Sequence, residues 1–166
     1  YTYKIETTSE KDRYAPNNIV IYKVKITNTS SDISINKMNI IDNILDIKTK
    51  DAKGNDIFAF DKKRSTITAS VENNSSSGIF NPQGNLNARD VMIAPNESVV
   101  YIIKLFTNES IVGEIKNNAK VIDRNGDEKE SNTVILTSEP YKLQLNKKAV
   151  SDVKYMPGEQ ISFDIS

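Results

Sequence analysis

Apolar residues recur at every second position along two runs of this sequence, and that period constrains the fold more than any other feature. Val20, Tyr22, Val24 and Ile26 alternate with Ile21, Lys23, Lys25 and Thr27. Val99, Tyr101, Ile103 and Leu105 alternate in the same way with Val100, Ile102, Lys104 and Phe106. A period of two puts one set on a buried sheet face and the other on a wetter one, which is the pattern of a strand. Shorter strand text covers 3–7, 33–44, 57–60, 66–71, 115–122 and 133–137, and no stretch carries a helical period. Turn text separates these runs: Asp51-Ala-Lys-Gly-Asn-Asp56, Ala94-Pro-Asn-Glu97 and Arg124-Asn-Gly-Asp127, the last suited to a type I′ hairpin.

The chain is therefore expected to be all-β, an immunoglobulin-like antiparallel β-sandwich of about seven to nine strands. It lacks the Cys-Trp-Cys signature of antibody domains, having no Cys and no Trp. The absence of Cys and His also removes His-based triads, thiol nucleophiles, ordinary zinc or haem sites and disulfides. Lys plus Arg and Asp plus Glu balance at 22 each, so no electrostatic footprint for nucleic acid or an anionic membrane is present. No run of eighteen or more apolar residues suggests membrane insertion. No nucleophile stands beside a base in the text, no catalytic residue is named and no cofactor is expected.

The polar stretch from Glu72 to Asp90 is the longest connection, expected as an excursion at one end of the sandwich. It is either a ligand-binding loop for a host or cell-surface partner or an uninvolved one. Asp123, Asn125 and Asp127 offer alternating oxygens reminiscent of a calcium loop, but the distal bidentate Glu is missing and a hairpin turn explains them. Asp51 to Asp56 reads the same way. The five Asn-x-Ser/Thr matches, at Asn28, Asn73, Asn74, Asn96 and Asn108, are expected by chance in so Asn-rich a chain.

An internal repeat sets the domain organisation. Tyr14-Ala-Pro16 recurs as Tyr155-Met-Pro157, an offset of 141, each copy following strand text, 3–7 in the first and 143–147 in the second. The expected division is one repeat over 1–139, then 140–166 as a linker stiffened by Glu139-Pro140 and the opening strands of an incomplete repeat. Two strands without their sandwich are marginal, so residues 141–166 are expected to add to a sheet edge in this chain or, by strand exchange, in a neighbour.

The order of motifs resembles a known family. Pro16, then Val20-Ile-Tyr-Lys-Val-Lys-Ile-Thr-Asn-Thr29, Met38-Asn-Ile-Ile-Asp42, Ala94-Pro-Asn-Glu-Ser98, Lys116-Asn-Asn-Ala-Lys-Val121 and Ser131-Asn-Thr133 are similar to the bacterial surface repeat catalogued as domain of unknown function 11. Asn17 and Asn96 stand where that family has Gly, and Ser30 replaces Gly after Asn-Thr. The resemblance implies an extracellular, cell-surface or cell-wall protein of a bacterium, with tandem modules as each other's partners.

It also implies a chemistry to look for, because related pilin and collagen-adhesin modules form an internal isopeptide bond. There a buried Lys amine attacks an Asn side chain beside a protonated Asp or Glu. Asp42 shares the inward phase of Met38 and Ile40, and Asn117 that of Ile115, Ala119 and Val121. Lys4 points away from the phase of Tyr3 and Ile5, which arrives at Thr7; in the second copy the same phase, Leu143 and Leu145, arrives at Lys147. Two readings stay open for the first copy: a Lys4 to Asn117 amide, or a hydrogen-bonded buried cluster of Thr7, Asn28, Asp42 and Asn117.

Overall fold

A computed structural model describes residues 1–140 together with 148–149 and 163–164. The first layer is β1 (Tyr3–Ser9), β3 (Ile19–Asn28), β9 (Ser98–Phe106) and β7 (Thr66–Val71), hydrogen-bonded in that order and antiparallel throughout. In β3 the sequence period becomes burial: Val20, Tyr22, Val24, Ile26 and Asn28 face inward, as do Val99, Tyr101, Ile103 and Leu105 of β9.

The second layer contains β4 (Ile35–Asp42), β8 (Leu86–Ile93), β10 (Ile115–Asn117), β11 (Lys120–Ile122), β12 (Glu128–Glu130), β13 (Val134–Ser138) and the two-residue β2 (Arg13–Tyr14). β10 with β11, and β12 with β13, are two runs each broken once, so this layer reads β2, β13/β12, β10/β11, β4, β8. The order is that of an immunoglobulin-like sandwich. The first layer matches its A-B-E-D sheet; β4, β11 and β12 match C, F and G. β2 crosses to pair in parallel with β13.

A small hairpin, β5 (Lys48–Lys50) with β6 (Asp56–Phe58), follows a single 3₁₀ turn at Ile44–Asp46 and covers one end of the sandwich. Beyond Pro140 the structure describes one ladder, β14 (Lys148–Ala149) antiparallel to β15 (Phe163–Asp164), with Lys148 opposite Asp164 and Ala149 opposite Phe163. These segments pair with each other. The strand-exchange expectation for 141–166, and Leu143, Leu145 and Lys147 with it, otherwise falls outside the described residues.

β8 is the main element that the period of two did not announce. Its alternation is interrupted by a bulge, where Asp90 takes φ 58°, and its partner β4 is bulged at Lys37 with φ 55°. The stretch 72–90 is consequently not one excursion: its last five residues are strand, and Ser76 and Ile79 bridge to Met92 and Arg89 along β8. Gly78 permits that approach, with φ 68° and room for no side chain, since a Cβ would lie 2.1 Å from the Arg89 carbonyl oxygen. Tyr101 Oη donates to the Ser77 carbonyl at 2.7 Å and Phe80 packs edge-on against the Tyr101 ring.

The ladders give the module a direction. β1 enters with Tyr3 opposite Asn28, at the end where β3 finishes and β9 begins. β13 leaves with Ser138 beside Tyr14, next to the end where β3 begins and β9 finishes, and Glu139 N–H donates to the Tyr14 carbonyl at 2.8 Å. Entry and exit lie at opposite ends of the sandwich.

Candidate functional site

The interior polar site is built where β3, β4 and β10 face each other. Asp42 closes β4 and Asn117 closes β10, both buried. Asn117 Nδ2 donates to Asp42 Oδ2 at 2.8 Å, while Asp42 Oδ1 has no partner. Tyr22 Oη, from the middle of β3, is the other buried side-chain polar atom left unpaired among the described residues. Burial pushes the Asp42 carboxyl up to about 7, against a smaller opposing effect of the Asn117 hydrogen bond. Burial likewise raises the Tyr22 phenol, with the Asp42 charge adding to it.

Near neutrality the site therefore holds an acid balanced between neutral and ionised, one amide bound to it and a phenol that does not titrate in that range. It opens toward a cleft of about 280 Å³ bounded by Ile41, Asn43, Ile47, Lys116 and Lys120. Tyr22 was absent from the residues picked out in the sequence because its phase marked it simply as core. An inward Tyr has to bring its hydroxyl somewhere, and that was the available signal.

The other sequence-selected residues are placed elsewhere. Lys4 stands on the outer face of β1, its side chain 64% exposed and its Nζ 2.8 Å from Glu6 Oε1. The alternation that buries Ile5 turns Lys4 out, so this amine does not meet Asn117. Thr7 is buried, but it serves a second site: its Oγ1 shares a 2.8 Å hydrogen bond with Ser131 Oγ. Its N–H donates to Asn132 Oδ1 at 2.9 Å, and its carbonyl accepts from Asn132 Nδ2 at 2.8 Å. The Asn132 amide thus imitates a ladder partner and ties the first layer to the break between β12 and β13.

Asn28 forms a third site at the entry end. Its Nδ2 donates to the carbonyls of Ile33 and Ile93, at 2.7 and 3.0 Å, and its Oδ1 accepts from Ser30 N–H. The four inward residues are therefore three separate locks, with only Asp42 and Asn117 together.

Asp123 and Asp51 make matching turns. Asp123 Oδ1 accepts from the N–H groups of Asn125 and Asp127, and Asp51 Oδ1 from those of Lys53 and Asn55. In both, the glycine three residues on has positive φ, Gly126 at 85° and Gly54 at 83°. Asn125 keeps a negative φ, so the expected type I′ turn is instead a three-residue loop with its glycine in the left-handed region. Among the described residues no group of three His, Cys, Asp or Glu is gathered to hold a metal.

At the exit end lies a larger cleft of about 450 Å³, edged by Asn17, Phe58, Asp61, Lys62, Arg64, Asn108 and Glu109. Lys62 Nζ stands 3.7 Å and Lys48 Nζ 5.2 Å from the Phe58 ring centre. Arg64 lies over Phe106 and donates to Asp61 Oδ2 and Asn17 Oδ1. No helix among the described residues is long and apolar enough to cross a membrane.

No family model matches the chain, that of the surface repeat it resembles included, and no curated protein matches it. Solved structures with related strand arrangements include a family 123 glycoside hydrolase from Clostridium perfringens, at 13% identity and a TM-score of 0.49, covering 88% of this chain and 28% of that one. The Actinomyces fimbrial adhesin FimA is 16% identical with a TM-score of 0.44, over 85% of this chain and 52% of its own. A collagen-binding domain from a Staphylococcus aureus adhesin is 16% identical with a TM-score of 0.43, over 82% and 97%. This chain spans about a quarter of the hydrolase and half of FimA.

Proposed function

We propose that this chain is a non-catalytic structural module of a bacterial surface or cell-wall protein, one unit of a tandem stalk. The observation that carries the reading is a repeated register. In the first copy Thr8 lies opposite Lys23 and Ser9 opposite Tyr22. Moving the first strand by 140 and the third by 141 gives Lys148 opposite Asp164 and Ala149 opposite Phe163, the ladder that follows Pro140. The Tyr-x-Pro motif moves by the same 141. Sequence and backbone pairing thus both support a second copy opening on the pattern of the first.

Entry and exit at opposite ends suit such an array, since tension along the chain loads β1 and β13 along their own axes. Their hydrogen bonds then resist together in shear rather than opening one at a time. Single-molecule pulling from residue 2 to residue 139 tests this. One high-force event for the module is expected; stepwise opening at low force would contradict a force-carrying role. The interior site fits the same reading, as an acid and an amide with no amine bonded to either among the described residues. Its intact mass under denaturing conditions is expected to equal the sequence mass; a deficit of about 17 Da, one ammonia, would reveal an internal amide.

A second reading, attachment through 72–90, draws on Ile79, which at 67% is the most exposed large apolar side chain among the described residues. Loss of binding to host matrix or cells on Ile79→Asp would favour it, and unchanged attachment would remove it.

A further inference from the structure

We propose that Asn125, at the tip of the β11–β12 hairpin, is the site at which this module deamidates spontaneously, and that Asp123 is the brake on the reaction.

The reactants adjoin in sequence. In this reaction the backbone nitrogen of the residue after an Asn attacks the Asn side-chain Cγ. The nitrogen gives up its proton, an N–Cγ bond forms, the Cγ–Nδ2 bond breaks and ammonia leaves. Water then opens the cyclic imide at either carbonyl, leaving an aspartyl or isoaspartyl residue with one more carboxylate and about 1 Da more mass. A Cβ on the attacking residue crowds the approach, and Asn125 is the only Asn in the chain that precedes Gly. Its side chain is exposed and forms no hydrogen bond among the described residues. Asn74 is better guarded: its Nδ2 donates to Glu97 Oε1 at 3.2 Å, and the following N–H, that of Ser75, donates to the Glu72 carbonyl at 3.0 Å. The matching turn at Asp51 has Lys53 before Gly54 and so carries no amide at that place.

The turn holds the nucleophile back. Gly126 N–H donates to the Asp123 carbonyl at 3.0 Å, so that bond has to break before the nitrogen can attack. Asp123 Oδ1 accepts from Asn125 N–H at 2.8 Å and from Asp127 N–H at 3.0 Å, fixing the backbone on both sides of Gly126. Closing the imide requires rotation about the Asn125 backbone, which these bonds oppose. The Asp123 carboxylate also disfavours the amide anion through which the attack proceeds.

The damage has a boundary. The new carboxylate stands between Asp123 and Asp127, and the isoaspartyl product adds a backbone carbon to a three-residue loop. Strand β12 is exposed at all three of its residues, held by its ladder to β11 and by Lys129 Nζ, which donates to the Tyr3 carbonyl at 2.9 Å. Strand β11 is anchored by buried Val121 and by its pairing with β4. Deamidation therefore loosens β12 and leaves the β4–β11 ladder intact.

The test follows the native module, the module unfolded in urea and Asp123→Ala in mildly alkaline buffer, by peptide mapping with mass spectrometry. The first gain of about 1 Da is expected at Asn125, fastest in the unfolded chain and slowest in the native one. Asp123→Ala is expected to deamidate several-fold faster than the native module; unchanged amide exchange at Val121 shows that it remains folded. Aged native protein is expected to exchange faster at 128–130 and unchanged at Ile40 and Val121. A first gain at another Asn would refute the site, and equal rates in the native module and folded Asp123→Ala would refute the brake.

Discussion

Asp42 keeps its carboxyl between two sheets with one amide for company, whereas Asp51, nine residues further along, presents its carboxylate to backbone N–H groups in an open turn. Burial drives the first up to about 7; the hydrogen bond from Asn55, with those of its neighbours, holds the second below the usual range. What differs is whether water or donors replace the solvation that folding removes. Asp51 ends with donors in place of water, and its charge organises a turn. Asp42 lost its water and regained one bond of the several a carboxylate accepts, so its proton becomes part of the fold.

The largest expected effect that separates the two is on the pH dependence of stability. The folded Asp42 binds its proton up to about pH 7 and the unfolded one only to about pH 4, so the native state holds the extra proton between those values. Stability from this group is complete below about pH 4, declines as pH rises through the interval and is gone above about pH 7. The total is on the order of a few kcal/mol. Asp42→Asn should flatten that decline in urea titrations between pH 4 and 8; an unchanged slope would show that Asp42 is ionised throughout.

Next in size, Asn117→Ala removes the one partner of the Asp42 carboxyl and should cost about 2 kcal/mol by chemical denaturation. Tyr22→Phe removes a buried hydroxyl that has no partner, and should leave stability unchanged or raise it by up to about 1 kcal/mol. A loss larger than that would mean that the hydroxyl is paired through a buried water. Smallest is Asp51→Ala, whose effect should stay within its turn: faster amide exchange at Lys53 and Asn55, with the melting temperature almost unmoved.

The comparison also explains which parts were legible in the sequence. Period-two text located β3 and β9 and placed Asp42 and Asn117 on inward phases, because side-chain alternation is a property of the strand itself. Asn17 and Asn96, standing where the resembling family has Gly, both take positive φ, at 51° and 60°; Asn is the residue other than Gly that best tolerates it. β8 was illegible because its bulge at Asp90 breaks the alternation, and the pinning of 72–85 onto it depends on Gly78, a contact between distant segments. Thr7, Asn28 and Asp42 share inward phases, yet phase says nothing of height along the sandwich or of which loops lie opposite. Their division into three locks depends on Ser131, Asn132, Ile33 and Ile93, all brought by other strands.

The proposal that this module is one unit of an end-to-end array is tested most directly by small-angle scattering from a chain containing two complete copies. The expected profile is that of a stiff rod about twice as long as one module, unchanged in salt. A compact profile, or one that fits two freely jointed bodies, would contradict it.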